Sequence, residues 1–264
     1  MNTLFLSHGA PDLLFAQVPA RAFLSSLAEQ VRRPRAIVVA SAHWTTRSVE
    51  VEASRSPRTI HDFGGFSPAL HSFEYPARGD PTLAAEIATA LGDQDFSART
   101  VERGLDHGAW VPLALAWPRA DVPVLQISLQ PHLGPAHHVR LGRALGSILG
   151  DDFLVIGSGS ATHDLGALAA PGSTPPEWVL AFDRWLTEAV ESGDEEALVD
   201  YRERAPFAAR NHPTEEHYLP LLVAFGAAGR RARGKLVHSS TTYGVLSMSA
   251  FRFDGPPAGD MRQT

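Results

Sequence analysis

Four short apolar segments, separated by stretches of helical periodicity, constrain this chain more than any other feature. Thr3 to Leu6, Ala36 to Ala40, Val122 to Leu129 and Phe153 to Ile156 are rich in β-branched residues or Leu and show little polar alternation. Such runs read as strands buried on both faces, the pattern of a parallel sheet. Between them Phe23, Leu24, Leu27, Ala28 and Val31 recur at three and four, as do Leu141, Leu145, Ile148 and Leu149. Asp80 followed by Pro81 predicts a capped helix start with Leu83, Ile87 and Leu91 on its stripe. Trp178, Phe182, Trp185, Leu186 and Ala189 give a wide apolar face over about Glu177 to Val190. Strands alternating with helices predict a single α/β domain, its mostly parallel central sheet flanked by helices on both faces. Leu246 to Phe253 alternates apolar with polar residues, which predicts a half-exposed strand, antiparallel at an edge near the C-terminus. From Asp254, with Gly255, Pro256 and Pro257, the tail is expected to fray.

Composition narrows the chemistry. Over 264 residues, 23 Lys+Arg against 29 Asp+Glu leave a formal charge of -6. No basic stripe stands out, which argues against nucleic acid or an anionic membrane as a partner. There is no cysteine, so disulfides, thiolate zinc sites, iron–sulfur clusters and cysteine nucleophiles are excluded. Apolar runs fall short of the ~18 residues of a spanning helix, and the N-terminus lacks the regions of a signal peptide, so a cytoplasmic location is expected. The 12 histidines are what remains to be explained.

Three of them share a structural address. His8, His43 and His163 each follow a predicted strand, and ligands of open α/β sheets bind beyond the carboxyl ends of the strands. Without thiolates, imidazole and carboxylate are left to hold a metal such as iron or zinc. A third ligand could come from Asn211-His212-Pro213-Thr214-Glu215-Glu216-His217, in which Thr214 is a plausible helix cap and Glu215 and Glu216 ordinary first-turn residues. In Gly104-Leu105-Asp106-His107-Gly108, Asp106 is placed to orient the His107 ring. The loop His61-Asp62-Phe63-Gly64-Gly65-Phe66 suits a wall over a flat apolar substrate. Gly157-Ser158-Gly159-Ser160 has neither the Lys of a phosphate loop nor the spacing of a serine nucleophile elbow, and reads as a tight turn. His71, His132, His137, His138 and His238 have no distinguishing spacing and read as surface or packing residues.

Six motifs in order resemble one family: Ser7-His8-Gly9-Ala10-Pro11, Ser41-Ala42-His43-Trp44, the His61 to Phe66 loop, Asp106-His107-Gly108-Ala109-Trp110, Gly157-Ser158-Gly159 through Thr162-His163-Asp164-Leu165, and Pro213 to Leu221. The order is similar to that of class III extradiol ring-cleavage dioxygenases, on the branch of 4,5-DOPA dioxygenase-like proteins. The resemblance implies an enzyme that opens the aromatic ring of a small catechol with O2. It implies one divalent metal, Fe2+ for activity with Zn2+ admissible in the isolated protein, held by His8, His43 and His217. Glu216 is the alternative third ligand, and a direct bond from His163 also stays open. It further implies His163 as acid/base residue and His107 against the substrate, with His61, Phe63 and Phe66 around it. Two other readings of the same histidines remain: a zinc-dependent hydrolase, and a catalytically idle binding protein on this fold.

Overall fold

The computed structural model describes residues 2–254, and the tail from Gly255 on lies outside the described residues. In chain order the first half comprises β1 (Asn2–Ser7), α1 (Pro19–Gln30), β2 (Ile37–Thr45), β3 (Val49–Glu52), α2 (Pro68–His71), α3 (Pro81–Gly92), β4 (Ala98–Val101), α4 (His107–Ala116) and β5 (Val124–Leu129). The second half comprises α5 (Gly134–Leu149), β6 (Leu154–Gly159), α6 (Glu177–Ser192), α7 (Glu195–Val199), α8 (Tyr201–Arg204), α9 (Ala208–Asn211), α10 (Leu219–Ala227), β7 (Arg233–His238), β8 (Thr241–Thr242), β9 (Leu246–Ser247) and β10 (Ala250–Asp254).

The four apolar runs become the middle of an eight-stranded sheet of order β4-β3-β5-β2-β6-β1-β10-β7. β5, β2, β6 and β1 are mutually parallel. On one flank β3 joins β5 antiparallel and β4 runs parallel to β3. The sheet is covered on both faces, which is why its central strands show so little polar alternation. Leu4, Leu6, Ile37 and Val39 pack into the layer of α1 and α4, whereas Phe5, Val38 and Ala40 pack into the layer of α3, α5, α6 and α10. Asp80 caps α3 as its sequence predicts, accepting the Leu83 amide hydrogen at 3.0 Å.

The C-terminal strand departs from expectation in two ways. β10 is antiparallel to β1, but β7 lies outside it, so the edge is one strand further out. The segment from Leu246 to Phe253 is also largely buried rather than half-exposed. Its serines tolerate burial because the Asp183 carboxylate on α6 accepts the Ser247 hydroxyl at 2.7 Å and the Ser249 hydroxyl at 3.0 Å. Alternation in sequence reports polarity; whether the polar face meets water depends on whether it finds partners.

Candidate metal centre

β1, β2 and β6 are parallel neighbours, so their carboxyl ends open at one edge of the sheet. His8 follows the last residue of β1, and His43 lies near the end of β2. His217 arrives by another route, two residues ahead of α10. A β-carbon at Gly157 would overlap the carbonyl oxygen of Pro220, and one at Gly159 the carbonyl oxygen of His217. Lacking both, β6 lets the backbone leading into α10 lie directly against it, and the His217 carbonyl accepts the Ser160 amide hydrogen at 3.0 Å. Residues 157–159 are thus strand, not the tight turn expected from their composition. Thr214 does not cap α10 either: the helix starts at Leu219, and the Thr214 hydroxyl donates to Glu216 at 2.8 Å.

The three imidazoles meet through their Nε2 atoms. His8 Nε2 lies 3.0 Å from His43 Nε2, which lies 3.3 Å from His217 Nε2. Metal–nitrogen bonds of about 2.0–2.1 Å at angles between octahedral and tetrahedral require nitrogens about 2.9–3.4 Å apart. The His8–His43 and His43–His217 spacings each fit two ligands of one cation.

Hydrogen bonds on the far side of the His8 and His217 rings, and the Asp62 carboxylate beside His43, leave lone pairs facing inward. His217 Nδ1 donates to Glu216 Oε1 at 3.2 Å, and His43 Nδ1 faces Asp62 Oδ2 at 3.6 Å. For His8 the argument runs through a helix defect. Pro112 sits inside α4 and has no amide hydrogen, so the carbonyl of Gly108, four residues earlier, lacks its helical donor. That carbonyl accepts the hydroxyl of Ser158 on β6. With its hydrogen committed there, the Ser158 oxygen accepts from His8 Nδ1 at 3.0 Å, leaving His8 Nε2 as a lone pair. Burial pushes His8 and His217 well below the usual imidazole range, with the neighbouring imidazoles adding to it. Burial, then His107, brings His43 down to about 4. All three are neutral near pH 7, the state a metal ligand needs.

His107 and His163 stand beside this group. The His107 ring lies 3.9 Å from that of His43, and an atom of each of His8, His43 and His107 falls within 4.8 Å of the others. His163 stacks on His217 with centroids 3.4 Å apart and planes 9° from parallel; these two and Glu216 form a second such group. Burial lowers the His163 pKa, opposed by Glu216. The partner of His107 is Asp62, not Asp106: Asp62 Oδ1 accepts from His107 Nδ1 at 2.9 Å and from its backbone amide at 3.1 Å. Burial raises the Asp62 pKa, yet the hydrogen bonds and charge of His107 outweigh it and hold the carboxyl at about 2. Asp106 is buried and takes the Ser41 hydroxyl at 2.6 Å, the Gln126 amide and Arg103 Nη1. Arg103 Nη2 in turn donates to the His43 carbonyl at 3.1 Å, so this network fixes the end of β2.

A cavity of about 600 Å³ opens over the imidazoles, with Phe63 and Phe66 in its wall. His61 does not line it: its Nε2 donates to the Phe73 carbonyl at 2.9 Å and its ring meets Trp110 and Phe63 edge-on, so it buttresses the loop from behind. The lining also holds Leu165, Leu168, Tyr243 and Leu246, none expected from the sequence to face a substrate. The pair Leu165 and Leu168, large apolar residues in the loop just after His163, was the available signal. Tyr243 and Leu246 are far from any histidine motif and come in only through the packing of the C-terminal strands. No helix among the described residues is long and apolar enough to cross a membrane.

The chain is 41% identical over 257 residues, 96% of each chain, to a protein named 4,5-DOPA dioxygenase extradiol from Beta vulgaris. It is 37% identical over 265 residues, 96% of this chain and 95% of the other, to a protein of the same name from Portulaca grandiflora. The crystal structure of an uncharacterized protein from Escherichia coli K12 superposes with a TM-score of 0.79 at 30% identity, covering 96% of this chain and 99% of that one. Residues 12–253 match the family described as the catalytic LigB subunit of aromatic ring-opening dioxygenase, and the chain belongs to that family of extradiol, ring-cleaving enzymes.

Proposed function

We propose that the protein cleaves the ring of a small catechol beside one hydroxyl, with O2 as oxidant and a divalent metal held by His8, His43 and His217. The observation that carries this reading is the approach of the three Nε2 atoms to one another, with Nδ1 of His8 and His217 hydrogen-bonded on the far side of the ring. Fe2+, when bound there, supplies the electron transfer that joins diol and oxygen. The chain's own residues bind, orient and move protons. His163, neutral at pH 7 because of its burial, is in the base form needed to take a proton from a catechol hydroxyl. His107 has its Nδ1 hydrogen bonded to Asp62, so its Nε2 presents a lone pair to a second hydroxyl. Phe63 and Phe66 offer the ring an apolar wall and keep water from it. Zn2+ in these histidines as isolated, and a cytoplasmic location, belong to the same proposal.

The test is anaerobic loading with Fe2+, then admission of O2 with a panel of catechols. A coloured ring-opened semialdehyde appearing only with oxygen supports the reading. Equal turnover without oxygen would make the site a hydrolase, and binding of catechols without any turnover would make the protein an idle relative.

A further inference from the structure

One buried histidine on the way into α10 has no part in the metal centre. His212 is fully enclosed, yet among the described residues it joins neither cluster of ligand atoms around the imidazoles. Its Nε2 lies 2.9 Å from the Ala161 carbonyl oxygen, and since a carbonyl only accepts, the ring hydrogen is on Nε2. The rings of Phe182, Tyr201 and Tyr218 surround it at centroid distances between 5.4 and 6.1 Å. Its Nδ1 meets no donor among the described residues. An orphaned lone pair in the interior is a cost that a leucine of similar volume would avoid. The ring therefore gives up stability for a single hydrogen bond, and what that bond holds is the loop of His163.

Hydrogen bonds join residues 160–163 to the segment 211–217. The Ser160 amide donates to the His217 carbonyl at 3.0 Å, and the His163 amide to the Asn211 carbonyl at 2.7 Å. Between these two main-chain bonds, His212 grips Ala161 with its side chain. From the other side Ser7 Oγ accepts the Ala161 amide hydrogen at 3.0 Å. The His107 ring is held by Asp62, whereas among the described residues no other side chain hydrogen-bonds the His163 ring. Its place over His217, with centroids 3.4 Å apart and planes 9° from parallel, is set by the loop that carries it. From this, and resting on the catechol reading above, we infer that His212 is a positioning residue for ring cleavage. Through the Ala161 carbonyl it holds the loop that keeps His163 stacked on His217 and in proton reach of the substrate. A displacement of about 1 Å in such a group costs about 10²-fold in rate.

Kinetics of the Fe2+-loaded protein with 4-methylcatechol and O2 test the inference. His212→Leu should lower kcat at least about tenfold, with KM within about threefold and metal content by elemental analysis unchanged. His212→Gln, whose amide nitrogen stands as many bonds from the backbone as Nε2, should recover kcat to within about threefold of the unmodified protein. In a His163→Ala background the leucine change should cost less than about twofold, because a residue that acts through His163 then has nothing left to position. The inference is overturned by a kcat within about twofold of the unmodified protein in His212→Leu, or by a tenfold loss that persists without His163. Equal losses in His212→Leu and His212→Gln, or metal lost in proportion to activity, overturn it as well. His212→Asn, one bond too short for the carbonyl, takes the place of leucine if that variant does not fold. A crystal structure of the Zn2+-loaded leucine variant reads the same point without turnover: the stack on His217 should open, and an unchanged stack overturns the inference. If the unmodified protein shows no oxygen-dependent turnover, the catechol reading falls and the stack alone decides the role of His212.

Discussion

Two sets of buried histidines occupy this fold, and burial does not tell them apart. His138, at the start of α5, is fully enclosed and its pKa is brought to about 4 by burial, as that of His43 is. The difference is what the second nitrogen meets. His138 Nδ1 donates to the Gly134 carbonyl at 2.8 Å and its Nε2 accepts the Gln130 amide hydrogen at 3.1 Å, so the ring is used up by its own backbone. His8 and His217 satisfy Nδ1 with an acceptor, His43 Nδ1 faces the Asp62 carboxylate at 3.6 Å, and all three turn Nε2 toward the same kind of atom on a neighbour. A lone pair without a donor is costly in a protein interior unless a cation or substrate hydrogen takes it. A depressed imidazole pKa therefore marks burial in both sets; orientation marks the site.

Substitution sharpens that contrast, and the largest effect belongs to the inward-facing set. His43→Ala should lower metal affinity by about 10²–10³, a share of about 3–4 kcal/mol per ligand, while leaving the fold's urea midpoint little changed in metal-free protein. His138→Ala should do the opposite, keeping the metal and costing about 2–3 kcal/mol of stability. Metal titration and urea melts on the two variants read both halves. His163→Ala comes next: metal content by elemental analysis stays near that of the unmodified protein, and turnover falls by roughly 10²–10⁴. Loss of metal in that variant would move His163 into the ligand set.

Pro112→Ala should act in two directions at once. Restoring an amide hydrogen to α4 gives Gly108 its helical donor, which removes a defect worth about 3 kcal/mol in a helix interior and raises the melting temperature of the metal-free protein. The same change competes with Ser158 for the carbonyl and loosens the tautomer of His8, so metal affinity should fall about 10-fold. A rise or fall in both quantities together would break the proposed relay.

The smallest effect separates the sets least. His8, His43, His137, His138, His212 and His217 all have folded-state pKa values below 6.5, with His212 at about 3. The unfolded chain then binds more protons than the folded one between about pH 3 and 6.5, so stability rises with pH across that window and is lost as pH falls through it. Urea midpoints at pH 7, 6 and 5 should decline in metal-free protein. They should decline more steeply with metal bound, because protons compete for the ligands.

The strands were legible because burial on both faces leaves short apolar runs rich in β-branched residues, although the fully buried helices α4 and α10 leave apolar runs too. His8 and His43 followed from them, since an address at a strand's end is a property of sequence order. Asp62 as the partner of His107 was not legible: Asp106 is adjacent in sequence, and only the packing of the His61–Phe66 loop shows which carboxylate reaches the ring. His61 was misread for the same reason, its position in a wall-forming loop saying nothing about which side of the wall it faces. The buried serines of the last strands escaped because their partner, Asp183, lies 64 residues away from Ser247.

The missing β-carbons at Gly157 and Gly159 have a consequence beyond local packing. Where strand and helix touch main chain to main chain, the span between the sheet-borne ligands and His217 is set by backbone contact with no side chain between, so side-chain repacking has little hold on it. Leu165 and Leu168 line the cavity with 57% and 47% of their surface exposed and carry no such constraint. Descendants of this sequence are free to change what they admit at the mouth while the bite of the imidazoles stays the same, so new substrates come cheaply and a new cation geometry does not.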